Sequence, residues 1–262
     1  VSHLTEELVQ LGHDVTLYAS GDSVTRARLR PAVAHALRLN PQRGDPLIHH
    51  FIMLEDVFKD AAAYDIIHFH VDFLHFPLSR RHAVPSLTTL HGRLDIPDLE
   101  LIHRTYREMP LVSISEAQRK PLSWANWKAT VYHGLPLSSY RVCPQPGDYL
   151  AFLGRASPEK GLHSAIEIAR RAGWPIRIAA KVDAVDQSYF DSRVRPLLHL
   201  PGVEFIGEIG ESEKNAFLGN ARALLFPIDW PEPFGLVMIE AMACGTPVIA
   251  YPCGAVPEVL ED

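Results

Sequence analysis

Two carboxylates eight positions apart, Glu232 and Glu240, stand in the stretch DWPEPFGLVMIEAMACGTPVIA at 229–250. Glu240 is the one polar side chain within LVMIEAMA, a helix-forming run, and an ionised carboxylate is costly to bury without a partner. A ligand could be that partner. The run predicts a helix from near Phe234 to Gly245, and Gly235 in its first turn would let a ligand approach free backbone N–H groups where the helix dipole favours phosphate. The plainer alternative makes Glu232 a helix cap and Glu240 a satisfied core acid. Capping accounts for neither the glycine nor the second acid.

A second group lies in FLGRASPEKGL at 152–162. A strand is expected to end at Gly154, with Ser157 as a cap, Pro158 at the first helical position and Lys160 in the first turn. A cation there opposes the helix dipole. An anionic ligand would turn that defect to use, with Arg155 forking onto oxygens and Lys160 acting as a point charge. The alternative is a solvated loop in which Lys160 pairs with Glu159 or a neighbour.

The histidines divide further. In TTLHGRLD at 88–95 a strand ends at His91-Gly92, which places His91 in a cleft or, equally, in a core. His133-Gly134 in VYHGLP reads as loop-shaping, and His49-His50 as a helix-entry pair. His68, His70 and His75 in HFHVDFLH invite a metal reading, because positions two apart share one face of a strand. Only Asp72 is near, without the close carboxylate or cysteine set that a metal needs, so a structural or cleft-lining role is favoured and no metal site is expected.

Elements that could position these residues alternate along the chain. Short apolar runs rich in β-branched residues occur at 15–19, 65–71, 86–91, 111–115 and 129–133, then at 149–154, 176–180, 203–207, 223–228 and 247–251. Amphipathic segments such as LIHRTYREM and ESEKNAFLGNA lie between most of them. That alternation predicts an α/β fold with parallel sheets. The Pro- and Gly-bearing segment SSYRVCPQPGDY at 138–149 breaks the rhythm and divides the chain into halves, 1–141 and 142–262. Each half would be a doubly wound, Rossmann-like domain, with ligands at the carboxyl ends of its strands. The chain opens directly on a helix and closes in what reads as the first turn of another. A first strand before Val1 and further residues after Asp262 are therefore expected, the fold being cut at both ends.

Bulk composition removes several function classes. With 262 residues and 47% hydrophobic content the chain can build two cores. A net charge of −6 gives no global basic field, so nucleic acid is not an expected partner. Three cysteines without metal spacing fit a reducing cytoplasm rather than a disulfide framework. No 18-residue apolar run or leader pattern occurs, and peripheral membrane contact stays open.

Taken together, SHLTEELVQLGHDVTLYASGDS, the His91-Gly92 pair, VSISEAQR, GRASPEKG and above all PEPFGLVMIEAMACGTPVIA resemble the retaining glycosyltransferases of family 4, which adopt the GT-B fold. The five stretches fall in the family's order across nearly the whole chain. The resemblance implies transfer of a sugar from a nucleoside-diphosphate sugar to an acceptor hydroxyl, UDP-glucose being the first donor to test, with no metal cofactor. It implies that Glu240 binds the ribose hydroxyls and that Arg155 and Lys160, at Gly154 and beyond, bind the diphosphate. Backbone at Phe234, Gly235 and Leu236 would hold phosphate and sugar oxygens, Glu232 would orient the sugar, His91 would sit beside it, and Ile209 would touch the nucleobase. Two departures stand out: the glycine-rich loop after the family's first strand is missing, and His133-Gly134 replaces the usual Asn-Gly. Competing readings are a nucleotide-sugar-binding module without turnover and a sugar-nucleotide 2-epimerase.

Overall fold

The protein is described by a computed structural model covering residues 1–37, 44–143, 145 and 147–261. Pro144 and Pro146 of the expected joining segment, and Asp262, lie outside the described residues. By packing, the chain forms two compact units: Val1–Ser113 with Leu122–Thr130, and Ile114–Pro121 with Val131–Asp262.

The first unit contains β1 (Thr16–Ser20), β2 (Arg28–Val33), β3 (Ile67–Phe69), β4 (Ser86–Thr89), β5 (Leu111–Ser113) and β6 (Trp127–Thr130). Strands β3 to β6 make a four-stranded parallel sheet in sequence order, while β1 and β2 pair in parallel with each other. Ten strands stand at the ten apolar runs. The eleventh, β2, is the one that sequence reasoning missed. Its sequence RLRPAV exposes Arg28, Arg30 and Pro31, and a proline argues against a strand unless the strand is an edge. Among the described residues β2 has β1 as its one strand neighbour, which is where a proline is tolerated.

The second unit contains β7 (Leu150–Arg155), β8 (Ile176–Lys181), β9 (Val203–Gly207), β10 (Ala223–Phe226) and β11 (Val248–Ala250), all parallel in the order β11-β10-β7-β8-β9. The first strand of this sheet is therefore central, and the chain winds to one side of it and then to the other. Such a switch point leaves a crevice at the carboxyl ends of the two strands that flank it. Register sharpens this: β7 pairs with β8 from Leu150 to Arg155, but with β10 only at Leu150 and Ala151.

Packing of the Leu162–Ala172 helix shows how the sequence secures β7. Leu162, Ala165, Ile166 and Ala169 recur at helical spacing and are all buried against Phe152, Ile176 and Ile178. Truncating Ile166 to alanine would cost roughly 2–5 kcal/mol. The helix is bounded by Gly161 and Gly173, both left-handed. At Gly161 a side chain is also barred by space, since a Cβ would stand 2.2 Å from the Pro227 carbonyl oxygen.

The short helix Glu116–Arg119 is capped twice. The Ser115 hydroxyl accepts from the Gln118 N–H at 2.9 Å. The Glu258 carboxylate accepts from the Glu116 and Ala117 N–H groups at 2.7 and 2.6 Å, and from the Tyr132 hydroxyl at 3.0 Å. An acid at a helix start satisfies orphan donors and the dipole together. The carboxylate that does so here comes from the far end of the chain.

Candidate functional site

Two adjoining pockets lie along the carboxyl end of β7. The smaller, about 150 Å³, is lined by Gly154, Lys160, Phe226, Glu232 and Gly235 among others. The larger, about 330 Å³, is lined by Lys181, Glu208, Ile209, Lys214 and Glu240. Leu153, Gly154, Leu236 and Val237 belong to both. The groove so formed brings together Gly154, Lys160, Glu232, Gly235, Leu236, Ile209 and Glu240. Phe234 is buried immediately beside them, with the His133 ring edge-on to it at 4.9 Å.

The helix behind the groove spans Leu236–Ala243, two residues later than its predicted start, because Gly235 is left-handed and acts as its N-cap. A Cβ at Gly235 would press on Met238 at 2.8 Å and on the Phe226 ring at 3.2 Å. The opening N–H groups of a helix have no carbonyl partners within it. Here they border the groove at Leu236 and Val237.

Glu232 is buried and forms an ion pair with Lys160, whose ammonium lies over the Trp230 ring at 5.1 Å. Gly254 makes this placement possible: a Cβ there would fall 2.3 Å from the Glu232 nitrogen. Lys160 sits in a 3-10 turn, Pro158–Lys160, ahead of the α-helix rather than in its first turn. Ser157 precedes that turn without a side-chain capping bond, and its hydroxyl is buried. Strand β7 continues through Arg155, one residue past its predicted end.

Arg155 is half-exposed and pairs with Glu159 and, at 3.3 Å, with Asp186. It is not among the residues lining either pocket. Burial raises the Asp186 carboxyl above the usual range, against the pull of Arg155.

The lone acid of the apolar helix, Glu240, has partners within the protein. Lys214 donates to Glu240 Oε1 at 2.8 Å and to Glu211 at 2.9 Å. Tyr140 lies 3.4 Å from the same Glu240 oxygen and 3.2 Å from Glu211. Sequence reasoning missed Lys214, Glu211 and Tyr140. The available signal was Lys214 as the one cation in ESEKNAFLG, on a helix beginning directly after the loop assigned to the nucleobase.

In the first unit His91 follows β4, and its Nε2 is 2.9 Å from His70 Nδ1. Burial holds His91 below the ordinary imidazole range. His68 bonds Thr89 at 2.7 Å, and its ring centroid is 4.2 Å from that of His70. His75 departs from them, buried between Ser79 and Thr88 at 2.7 Å each, and burial pushes it down to about 3. Among the described residues no group of three or more His, Cys, Asp or Glu is placed to hold a metal ion. Nor, among them, is any helix long and apolar enough to cross a membrane.

Comparison with known proteins bears on this geometry. Residues 1–144 match the model of Glycosyltransferase Family 4, and residues 143–262 match that of Glycosyl transferases group 1. The chain is 26% identical to a phosphatidyl-myo-inositol mannosyltransferase of Propionibacterium freudenreichii, across 97% of this chain and 73% of that protein. It is 28% identical to a glycogen synthase of Mycobacterium tuberculosis, across 88% of this chain and 54% of that one, so it spans only about half the length of this relative. Among solved structures, sucrose-phosphate synthase from Thermosynechococcus elongatus superposes with a TM-score of 0.76 at 19% identity, over 97% of this chain and 75% of that one. Anabaena HepE in complex with UDP gives 0.68 at 20%, over 80% and 66%. The parallel α/β sheets and these matches establish the GT-B fold class, and the chain belongs to glycosyltransferase family 4.

Proposed function

We propose that this chain carries the donor-binding machinery of a retaining transferase that moves a sugar from a nucleoside-diphosphate sugar, UDP-glucose first among candidates, to an acceptor hydroxyl. Enzymes of this family take nucleotide-sugar donors and are generally metal-independent. The observation that carries the reading is the two-lobed groove, with an acid at each end and a helix start between them. Its larger lobe, with Ile209 and Glu240, suits a nucleoside, and its smaller lobe, with Lys160 and Glu232, suits the terminal phosphate and sugar. HepE, solved with UDP-glucose as well as with UDP, supports trying that donor first.

In this reading the ion pairs of the groove are exchanged for contacts to the donor. A diphosphate draws Lys160 from Glu232, freeing that carboxylate to orient sugar hydroxyls, and recruits Arg155 from its acidic neighbours. As the bond to the sugar breaks, charge grows on the departing phosphate oxygen. Lys160, once drawn onto the diphosphate, and the preorganised N–H groups at Leu236 and Val237 stabilise it. His91 is assigned to the transferred sugar on the family resemblance alone, as are the halves 1–141 and 142–262 to acceptor and donor.

Calorimetric titration with UDP, GDP and ADP, followed by a donor screen with product analysis, tests the proposal. Binding of one diphosphate and appearance of a glycosylated acceptor are expected. Binding without transfer to any acceptor would favour a binding module, and conversion of the donor alone to its 2-epimer would favour an epimerase. Failure of all three nucleotides to bind would overturn the donor reading.

A further inference from the structure

We propose that Tyr140 is a positioning residue for Glu240, holding one carboxylate oxygen so that the other is presented to a ribose. The inference rests on the donor reading above. Both protein donors to Glu240, Lys214 and Tyr140, meet Oε1. Oε2 has no protein donor among the described residues, and the side chain lines the larger pocket. One oxygen is thus anchored and the other available.

Tyr140 is itself held in place. Its ring is buried in a cluster with Tyr149, Phe217, Leu218 and Ala241. The next residue, Arg141, is gripped through its backbone by Asn215, whose side chain accepts from the Arg141 N–H at 2.6 Å and donates to its carbonyl at 3.2 Å. Asn215 neighbours Lys214 on the Glu211–Gly219 helix, so the latch and the anchoring cation share one element. Further along, the Cys143 N–H donates to the Cys244 carbonyl at 3.1 Å, just past the helix that carries Glu240.

The phenol also answers an electrostatic need. Glu211 and Glu240 converge on the same ammonium, which brings two carboxylates close together. An O–H group between the two carboxylates can donate to either and lowers the cost of holding both ionised. Burial, reinforced by the two acids, keeps the phenol above its ordinary range, so it remains a donor throughout the working pH range.

The test measures binding of UDP, GDP and ADP to the whole chain, then compares the tightest of the three with its 2′,3′-dideoxy counterpart. The wild type should prefer the ribonucleotide. Tyr140→Phe keeps the ring and removes the hydroxyl; ribonucleotide affinity should fall about three- to tenfold with the dideoxy affinity unchanged, so the preference shrinks. No change, or equal loss for both ligands, would overturn the positioning role. Glu240→Ala separates this proposal from its foundation: a preference that survives it sinks the ribose assignment itself. A preference abolished by Glu240→Ala but untouched by Tyr140→Phe sinks only the role of Tyr140. Should Tyr140→Phe fail to fold, Glu211→Gln leaves a weaker, uncharged acceptor in competition for the phenol, which then turns to Glu240, and the ribose preference should increase; no change or a decrease would overturn the proposal. No binding by any of the three nucleotides would overturn it together with the donor reading.

Discussion

Glu232 and Glu240 each meet a lysine, but in different company. Lys160 reaches Glu232 from 72 positions away and stands beside aromatic rings, one cation to one acid. Lys214 reaches Glu240 from 26 positions away and is shared with Glu211, with Tyr140 lying between the acids. The first pair is closed on itself, and a ligand must open it. The second leaves one oxygen of its acid without a protein donor among the described residues, and a ligand can join it without breaking anything. An end of the groove that exchanges partners suits phosphate and sugar, where contacts change during reaction, and an end that only gains a partner suits a nucleoside held throughout.

The largest effect that could break this comparison should follow Lys160→Ala. On the proposed donor reading it removes a phosphate-binding cation, and it strands a buried carboxylate, so turnover should fall on the order of 10²- to 10³-fold. Urea unfolding should also show a loss of up to roughly 3 kcal/mol. A variant that kept full turnover would remove Lys160 from the chemistry and leave it a structural partner of Glu232.

Glu240→Ala comes next. Lost hydrogen bonds to an ionised acceptor should weaken nucleoside diphosphate binding by about 1–3 kcal/mol, read by calorimetry, while Glu240→Gln separates shape from charge. If affinity held and only the melting temperature fell, Glu240 would be a core acid satisfied by Lys214.

Lys214→Met should cost less, about 1–2 kcal/mol of stability, because Tyr140 remains as a donor to Glu240 and the second acid, Glu211, is largely exposed. Glu211→Gln should restore part of that loss by removing one of the two like charges. Burial alone would depress the Lys214 ammonium, but Glu240 and Glu211 outweigh it and hold the group above the ordinary lysine range. A raised folded-state value means that its contribution is fully present below the unfolded value of about 10.4 and is lost as pH climbs through the folded one. Stability scans above that pH should therefore fall more steeply for wild type than for Lys214→Met.

Arg155→Ala sets the lower bound. Arg155 is itself half-exposed, and its buried partner Asp186 has a carboxyl already raised by burial, so stability should change by no more than about 1 kcal/mol. Diphosphate affinity should drop more than that of the bare nucleoside, and the difference should shrink in high salt. Equal losses for both ligands would remove Arg155 from the phosphate site.

Much of this was readable from residues alone because short-range rules govern it. Parallel strands buried on both faces announce themselves as apolar runs, as ALLF at β10 does. Gly235 and the two acids are close in sequence, so their spacing survives folding. What could not be read depends on long-range closure. Nothing in ESEKNAFLG says that its lysine meets an acid on another helix, and nothing in SSYRV says that its tyrosine follows. The Gly254 contact is of the same kind, since only the fold lays that residue across Glu232. Strand β2 failed for the opposite reason: its local signals, two arginines and a proline, argue for a loop, and pairing with β1 overrides them.

The Glu258 cap bears on how such chains can be recombined. Residues 114–121 lie early in the sequence yet pack with the second unit, and their helix start is closed by an acid from the last few residues. A chimera that exchanged first halves at one crossover near residue 140 would import a foreign helix beneath the native Glu258. Two further junctions, near 113 and 121, would keep the second unit's cap and helix from the same parent, and libraries of hybrid transferases built on this scaffold should be cut there.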